Sequence, residues 1–170
     1  MDIRDGYTTS CERALQQDER IHAYLAGSYW AEGIPLALVR RSLDHSLCVG
    51  VFWGGDQVAF ARVISDRATF AYLCDVYVLE EHRRKGLSAW MLEVITAHPE
   101  LQGLRRFVLA TRDAHGLYAK FGFTPLSTPN AWMEIVKSGL YKQPTDPALE
   151  PATTTGTIHP AGGAAAVGPS

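Results

Sequence analysis

Cysteine is scarce in this chain. Cys11, Cys48 and Cys74 are an odd number with no C-x-x-C pair, which argues against a disulfide framework and a zinc knuckle. Long apolar runs are also missing. None approaches the ~20 residues of a membrane span, and the start, Met1 to Gly6, has neither the basic nor the apolar region of a signal peptide. Positive charge is not in excess. The formal net charge is −2, so there is no overall basic field to hold nucleic acid or an anionic membrane. The six histidines, at 22, 45, 82, 98, 115 and 159, fall at no metal-ligand spacing. The expectation is a soluble, cytoplasmic protein with no metal, no nucleic-acid partner and no membrane partner. What is present suffices to fold: at 46% hydrophobic residues in 170, one domain can build a core without staples.

The pattern along the chain predicts alternating element types. Tyr7–Ser10 reads as a short strand after the Asp5-Gly6 turn signal. A helix is expected around Asp18–Ala26, with Ile21, Tyr24 and Leu25 on one face, ended by Gly27-Ser28. Tyr29 and Trp30 follow as an aromatic pair in a loop. Pro35 suits the first position of a second helix, whose apolar stripe is Leu36, Val39 and Leu43. Leu47–Trp53 and Gln57–Ile64 read as a hairpin around Gly54-Gly55-Asp56. Tyr72–Leu79 reads as a buried strand, and helical spacing begins at Leu87 with Trp90, Met91, Val94 and Ile95. His98-Pro99 ends that helix. Further on, Arg106–Ala110 reads as a strand and Ala114–Phe121 as a short helix closed by Gly122. Phe123-Thr124 is extended again, and Trp132–Val136 reads as a last strand. The order implies a mixed α/β sheet with helices on its faces. Residues 1–143 form the expected domain. Residues 144–170, rich in proline, alanine, glycine and threonine, are expected to stay disordered.

The chain declares itself between Tyr72 and Ala97, where a strand, a basic turn and a helix follow one another. Arg83, Arg84 and Lys85 stand just before Gly86. A helix start offers free N–H donors and a positive dipole end, which suit a phosphate. The plainer reading is a solvated basic turn. Asp75 is a carboxylate in an otherwise apolar strand. It suits a general base or an ammonium binder; alternatively, it bonds to nearby backbone or forms a structural pair with Arg62 or Arg67. Strict alternation would place it on the face of Leu73, Tyr77 and Leu79, with Cys74 on the other.

Two motifs together resemble the GNAT superfamily of acyl-CoA-dependent N-acetyltransferases. One is Arg83-Arg84-Lys85-Gly86-Leu87-Ser88, similar to that family's [Q/R]-x-x-G-x-[G/A] turn, with Ser88 in place of glycine or alanine. The other is Ala114 to Phe123, an A-x-x-x-Y-x-x-x-G-F stretch. The likeness runs from about Ile3 to Lys137. It implies a central, mostly antiparallel sheet with helices on both faces, acetyl-CoA as co-substrate, and a primary amine as acceptor.

By resemblance, the backbone from Arg83 to Ser88 holds the pyrophosphate, and backbone groups of Tyr77, Val78 and Leu79 hold the pantetheine arm and the acetyl carbonyl. Thr111 stands where many members carry a CoA-facing asparagine. Tyr118 takes the general-acid position, and Asp75 is the base candidate, ahead of His115 and Glu80. The acceptor pocket is implied near Tyr29, Trp30 and Glu32. A homodimer is one assembly the resemblance implies. Two other classes stay open: a peptide or protein acetyltransferase acting on lysine or an N-terminus, and an acyl-CoA-binding module without catalysis.

Overall fold

The computed structural model describes residues 2–142, so the expectation for 144–170 lies outside the described residues. Six strands form one sheet in the order β1-β2-β3-β4-β5-β6. They are β1 Asp2–Arg4, β2 Tyr7–Ser10, β3 Leu47–Trp53, β4 Asp56–Ser65, β5 Phe70–Val78 and β6 Arg106–Leu109. All neighbours run antiparallel except β5 and β6, which run parallel. The helices are α1 Asp18–Ala26, α2 Leu36–Asp44, α3 Leu87–Ala97 and α4 His115–Ala119. Among the described residues, no helix is long and apolar enough to cross a membrane.

Turn chemistry explains both tight hairpins. Asp5 and Gly6 have φ of 48° and 80°; Gly54 and Gly55 have 58° and 92°. Two consecutive positive φ values match the right-handed twist of the flanking strands, and Asp-Gly and Gly-Gly adopt them at low cost. Strand β1 is an element the sequence reading did not anticipate. Pro35 precedes α2 as an extended cap rather than occupying its first turn.

The sheet separates two apolar clusters. Leu73, Val78, Met91 and Ile95 lie in the larger one, under α3; Ile21, Val39, Phe60 and Tyr77 lie in the other, under α1 and α2. Strict alternation along β5 therefore fails, because Leu73 and Tyr77 sit on opposite faces. The cause is a β-bulge. Phe60 pairs with Tyr77 and Arg62 with Cys74, so Ala61 alone faces both Asp75 and Val76. Asp75 takes the extra place with φ 55°, a left-handed conformation that favours glycine.

Trp132–Val136 does not form the strand that its pattern predicts. The segment carries no regular hydrogen-bonded structure, and Met133 and Ile135 are 97% and 96% exposed. Trp132 lies against the Arg106 guanidinium, 5.0 Å from the ring centre.

An amide cluster fastens α1 to the sheet. Gln57, only 1% exposed, accepts from the Gln17 backbone N–H through Oε1 at 2.8 Å and donates through Nε2 to Gln16 Oε1 at 2.9 Å. Replacing Gln57 with leucine strands both partners. We expect Gln57→Leu to lose about 2 kcal/mol of stability in urea unfolding, the cost of buried groups left unpaired. An unchanged midpoint would contradict this.

Candidate active site

Strands β5 and β6 form a fork. Their pairing runs from Phe70 opposite Arg106 to Leu73 opposite Leu109, while β5 continues to Val78. The bulge at Asp75 and Val76 lies just past the last pair and bends β5 out of register. A cavity of about 490 Å³ occupies the fork, lined by Cys74, Asp75 and Val76 on one side, Thr111 to Ala114 on the other, and Tyr118. The two residues singled out for proton transfer, far apart in sequence, thus line one space.

Asp75 is held from two directions. Arg62 Nε donates to its Oδ2 at 2.7 Å, and Trp30 Nε1 donates to its Oδ1 at 3.1 Å. The side chains of Arg62 and Asp75 are only 14% and 9% exposed. The ion pair with Arg62, one of the alternatives open from sequence, is thus present; Arg67 instead pairs with Glu100. Each carboxylate oxygen can still accept another hydrogen bond.

A run of rings fixes Trp30. Tyr77 stacks on Tyr24 with centroids 3.8 Å apart. Tyr24 lies 6.4 Å from Trp30, which meets Tyr29 edge-on at 4.9 Å. The Arg112 guanidinium covers the outer face of Tyr29 at 3.4 Å, a cation–π contact. The aromatic pair is therefore anchored between α1 and the β6–α4 loop. Glu32 is exposed and lines neither this cavity nor the neighbouring one that also contains Asp75.

Tyr118 is 9% exposed. Burial, followed by the negative charge of Asp113, raises its phenol above the ordinary value. Helix α4 presents it into the fork. Thr111 Oγ1 accepts the Ala114 N–H at 3.1 Å at the start of this helix; its hydroxyl proton remains to donate. At the other end, Gly122 with φ 85° lets the Phe123 N–H reach the Tyr118 carbonyl at 3.3 Å, as in a Schellman closure. His115 is exposed but lines the cavity beside β6 rather than the fork.

The basic turn lies beyond the tip of β5. Gly86 precedes α3 with φ 76°, and a Cβ there would meet nothing within 4 Å. A cavity of about 250 Å³ lined by Val78, His82, Gly86 and Ser88 abuts it. The three cations differ. Arg83 Nε donates to the Val78 carbonyl at 3.1 Å. Lys85 Nζ donates to Tyr7 Oη at 3.0 Å, and that hydroxyl also bonds His82 Nδ1 at 2.9 Å. Arg84 is exposed, with φ 60°. The Leu79 N–H is already given to the Val58 carbonyl at 2.9 Å.

Among the described residues, no group of three or more histidines, cysteines or acids could hold a metal. Burial, reinforced by Asp75, pushes the Cys74 thiol up to about 12; burial also pushes Cys48 up to about 12. A thiol held protonated is a poor nucleophile.

Residues 9–123 match the acetyltransferase (GNAT) family. A crystal structure of a GNAT-family acetyltransferase from Xanthomonas campestris pv. campestris is 56% identical. It superposes with a TM-score of 0.79 over 81% of this chain and 97% of its own. A Gibberella zeae protein assigned to the acetyltransferases is 33% identical over 142 residues, 69% of this chain and 78% of its own. A Clostridium acetobutylicum acetyltransferase solved with acetyl-CoA shares the fold at 14% identity. Its TM-score is 0.56, over 76% of this chain and 94% of its own.

The raised thiols predict slow labelling. At pH 8, iodoacetamide should leave Cys48 and Cys74 unmodified in the folded protein and alkylate both in urea, as read by peptide mass spectrometry. Alkylation of folded Cys74 at the rate of a free thiol would contradict the assigned burial.

Proposed function

The chain belongs to the GNAT acetyltransferase family, and from that premise we propose that it transfers an acetyl group from acetyl-CoA to a primary amine of a small molecule. The amine attacks the thioester directly while both substrates are bound. The observation that carries this reading is the fork, which brings Tyr118 and Asp75 to one cavity at the end of an unpaired stretch of β5. That stretch leads to the glycine turn at α3.

The donor's phosphates fit the turn. Gly86 leaves room for close approach, the first N–H groups of α3 point outward, and Arg84 adds an exposed charge. The pantetheine arm lies along the open edge of β5 towards Tyr77 and Val78, where backbone groups can bond it. The Leu79 N–H contributes nothing, because Val58 already takes it. This places the thioester in the fork cavity. Thr111 lines the same cavity and keeps a hydroxyl proton for the donor.

At the fork, the amine nitrogen bonds to the acetyl carbonyl carbon, and backbone donors on β5 stabilise the developing oxyanion. The C–S bond then breaks, and the thiolate takes the proton of Tyr118, which solvent replaces. The raised phenol supports this role, because it keeps its proton at neutral pH. Asp75 receives or relays the ammonium proton before attack through the acceptor capacity its two partners leave, and the second proton shed by the nitrogen as the amide forms passes to solvent. Trp30 and Tyr29 wall the acceptor side. Cavities of about 490 and 530 Å³ are of a size that suits a small acceptor.

The working form in this reading is a homodimer. Among the described residues the sheet ends at β6, and Met133, Ile135 and Val136 are large apolar side chains left exposed in a segment with no strand partner. A second copy supplies what each lacks. Sedimentation equilibrium should give twice the chain mass, and Ile135→Lys should shift the protein to monomer; a wild-type monomer at micromolar concentration would contradict this.

Tyr118→Phe tests the chemistry. Acetyl-CoA affinity by calorimetry should stay within about twofold, while thiol release falls on the order of 10²-fold. In the wild type, ionisation of a raised phenol removes the acid only at high pH. Tyr118 should therefore impose no loss of turnover between pH 7 and about pH 9. Undiminished turnover in the Phe variant would remove Tyr118 from the mechanism.

A further inference from the structure

Beside the fork, on the other side of the Trp30–Asp75 hydrogen bond, lies a cavity of about 530 Å³. Trp30 and Asp75 line both spaces, so its inner end adjoins the reacting centre. Its wall holds an unusual cation. Arg62 sits in mid-β4, opposite Cys48 on one side and Cys74 on the other, with its side chain only 14% exposed. Burying a guanidinium is costly unless its donors are used. Nε goes to Asp75, and Nη1 goes to Ser46 Oγ at 3.2 Å. Among the described residues, no group takes Nη2. No buried side-chain nitrogen there lacks a partner either, so Nη2 keeps solvent access, and Arg62 lines this cavity.

Arg41, in the last turn of α2, adds a second positive charge to the wall, and His45, at the cap of that helix, lines it as well. Arg41 has no carboxylate within ion-pair reach among the described residues. Asp75 is the one carboxylate of the lining, and Arg62 already pairs with it. Ile34, Leu38 and Ile64 give the same cavity an apolar part.

A carboxylate and a guanidinium lying side by side, each with bonding capacity left over, complement a molecule carrying an ammonium next to an anion. We propose that the acceptor is a zwitterionic amine of the α- or β-amino-acid type. Its ammonium bonds to Asp75, where the amine nitrogen meets the thioester. Its carboxylate accepts from Arg62 Nη2, within the positive potential of Arg41. An apolar side chain lies along Ile34, Leu38 and Ile64. Arg62 is then the specificity-determining residue for the acceptor's anionic group. This inference rests on the reading of the protein as a small-amine acetyltransferase.

The test compares matched acceptors on the full chain with acetyl-CoA, measured by thiol release: leucine against isoamylamine and leucinamide, and phenylalanine against phenethylamine. The amino acids should exceed the partners lacking a carboxylate by on the order of 10- to 100-fold in kcat/KM. Arg62→Lys should lose most of that preference, read as the ratio of kcat/KM for leucine to that for isoamylamine, because its grip on Asp75 can change both rates together. Should that variant not fold, Arg41→Gln, at an exposed site, should still reduce the preference several-fold. Isoamylamine or phenethylamine serving the wild type as well as its amino acid overturns the proposal and leaves the acetyltransferase reading standing. If no acceptor releases thiol, thermal shift in the presence of CoA decides. Stabilisation by leucine and not isoamylamine upholds the anion-recognising pocket without the reaction; stabilisation by neither overturns it.

Discussion

The left-handed backbone of Asp75 is the constraint on which the site depends. A non-glycine residue at φ 55° costs on the order of 1–2 kcal/mol. The surroundings hold it there with Arg62 Nε on one carboxylate oxygen and Trp30 Nε1 on the other. The strain has a geometric return. One extra residue enters β5, Leu73 and Tyr77 are sent to opposite faces, and the strand turns away from β6 just beyond Leu109. The same two residues, Asp75 and Val76, interrupt the β4–β5 ladder and line the cavity that results.

The remaining elements serve that opening. Helix α3 closes the larger core with Trp90, Met91 and Ile95 and presents its N-terminus beyond the tip of β5. The stack of Tyr77, Tyr24, Trp30 and Tyr29, covered by Arg112, ties the α1–α2 loop to the loop after β6, so the two walls of the site are braced together. The basic turn is less uniform than its sequence. Arg83 is folded back on Val78 and Lys85 is tied to Tyr7, so Arg84 and the helix N-terminus are the freest to meet an incoming phosphate.

Much of this was legible from sequence, for physical reasons. Period and punctuation placed α1 at Asp18–Ala26 and α3 from Leu87, each an apolar stripe at helical spacing, and an apolar run before the Gly54-Gly55 turn placed β3 at Leu47–Trp53. Asp75 stood out as a carboxylate in an apolar strand and Tyr118 by its place in the A-x-x-x-Y-x-x-x-G-F stretch, and both line the fork. The bulge was not legible. A period-2 reading assumes unbroken register, and the extra residue is an aspartate where a glycine would have been the usual sign. Arg62 was visible only as one of several partners for Asp75. Its open Nη2, and the nearness of Arg41 and His45, depend on how α2 packs over β4. The large apolar residues of Trp132–Val136 suggested a strand, but a strand needs an edge to pair with, which local pattern does not supply.

A crystal structure of the protein with acetyl-CoA tests the central claim most directly. The account predicts the pantetheine arm along the unpaired edge of β5 from Cys74 to Val78, the pyrophosphate on the turn before α3, and the thioester sulfur within hydrogen-bonding distance of Tyr118 Oη. Acetyl-CoA bound away from the fork, or a sulfur on the far side of β5 from Tyr118, would contradict it.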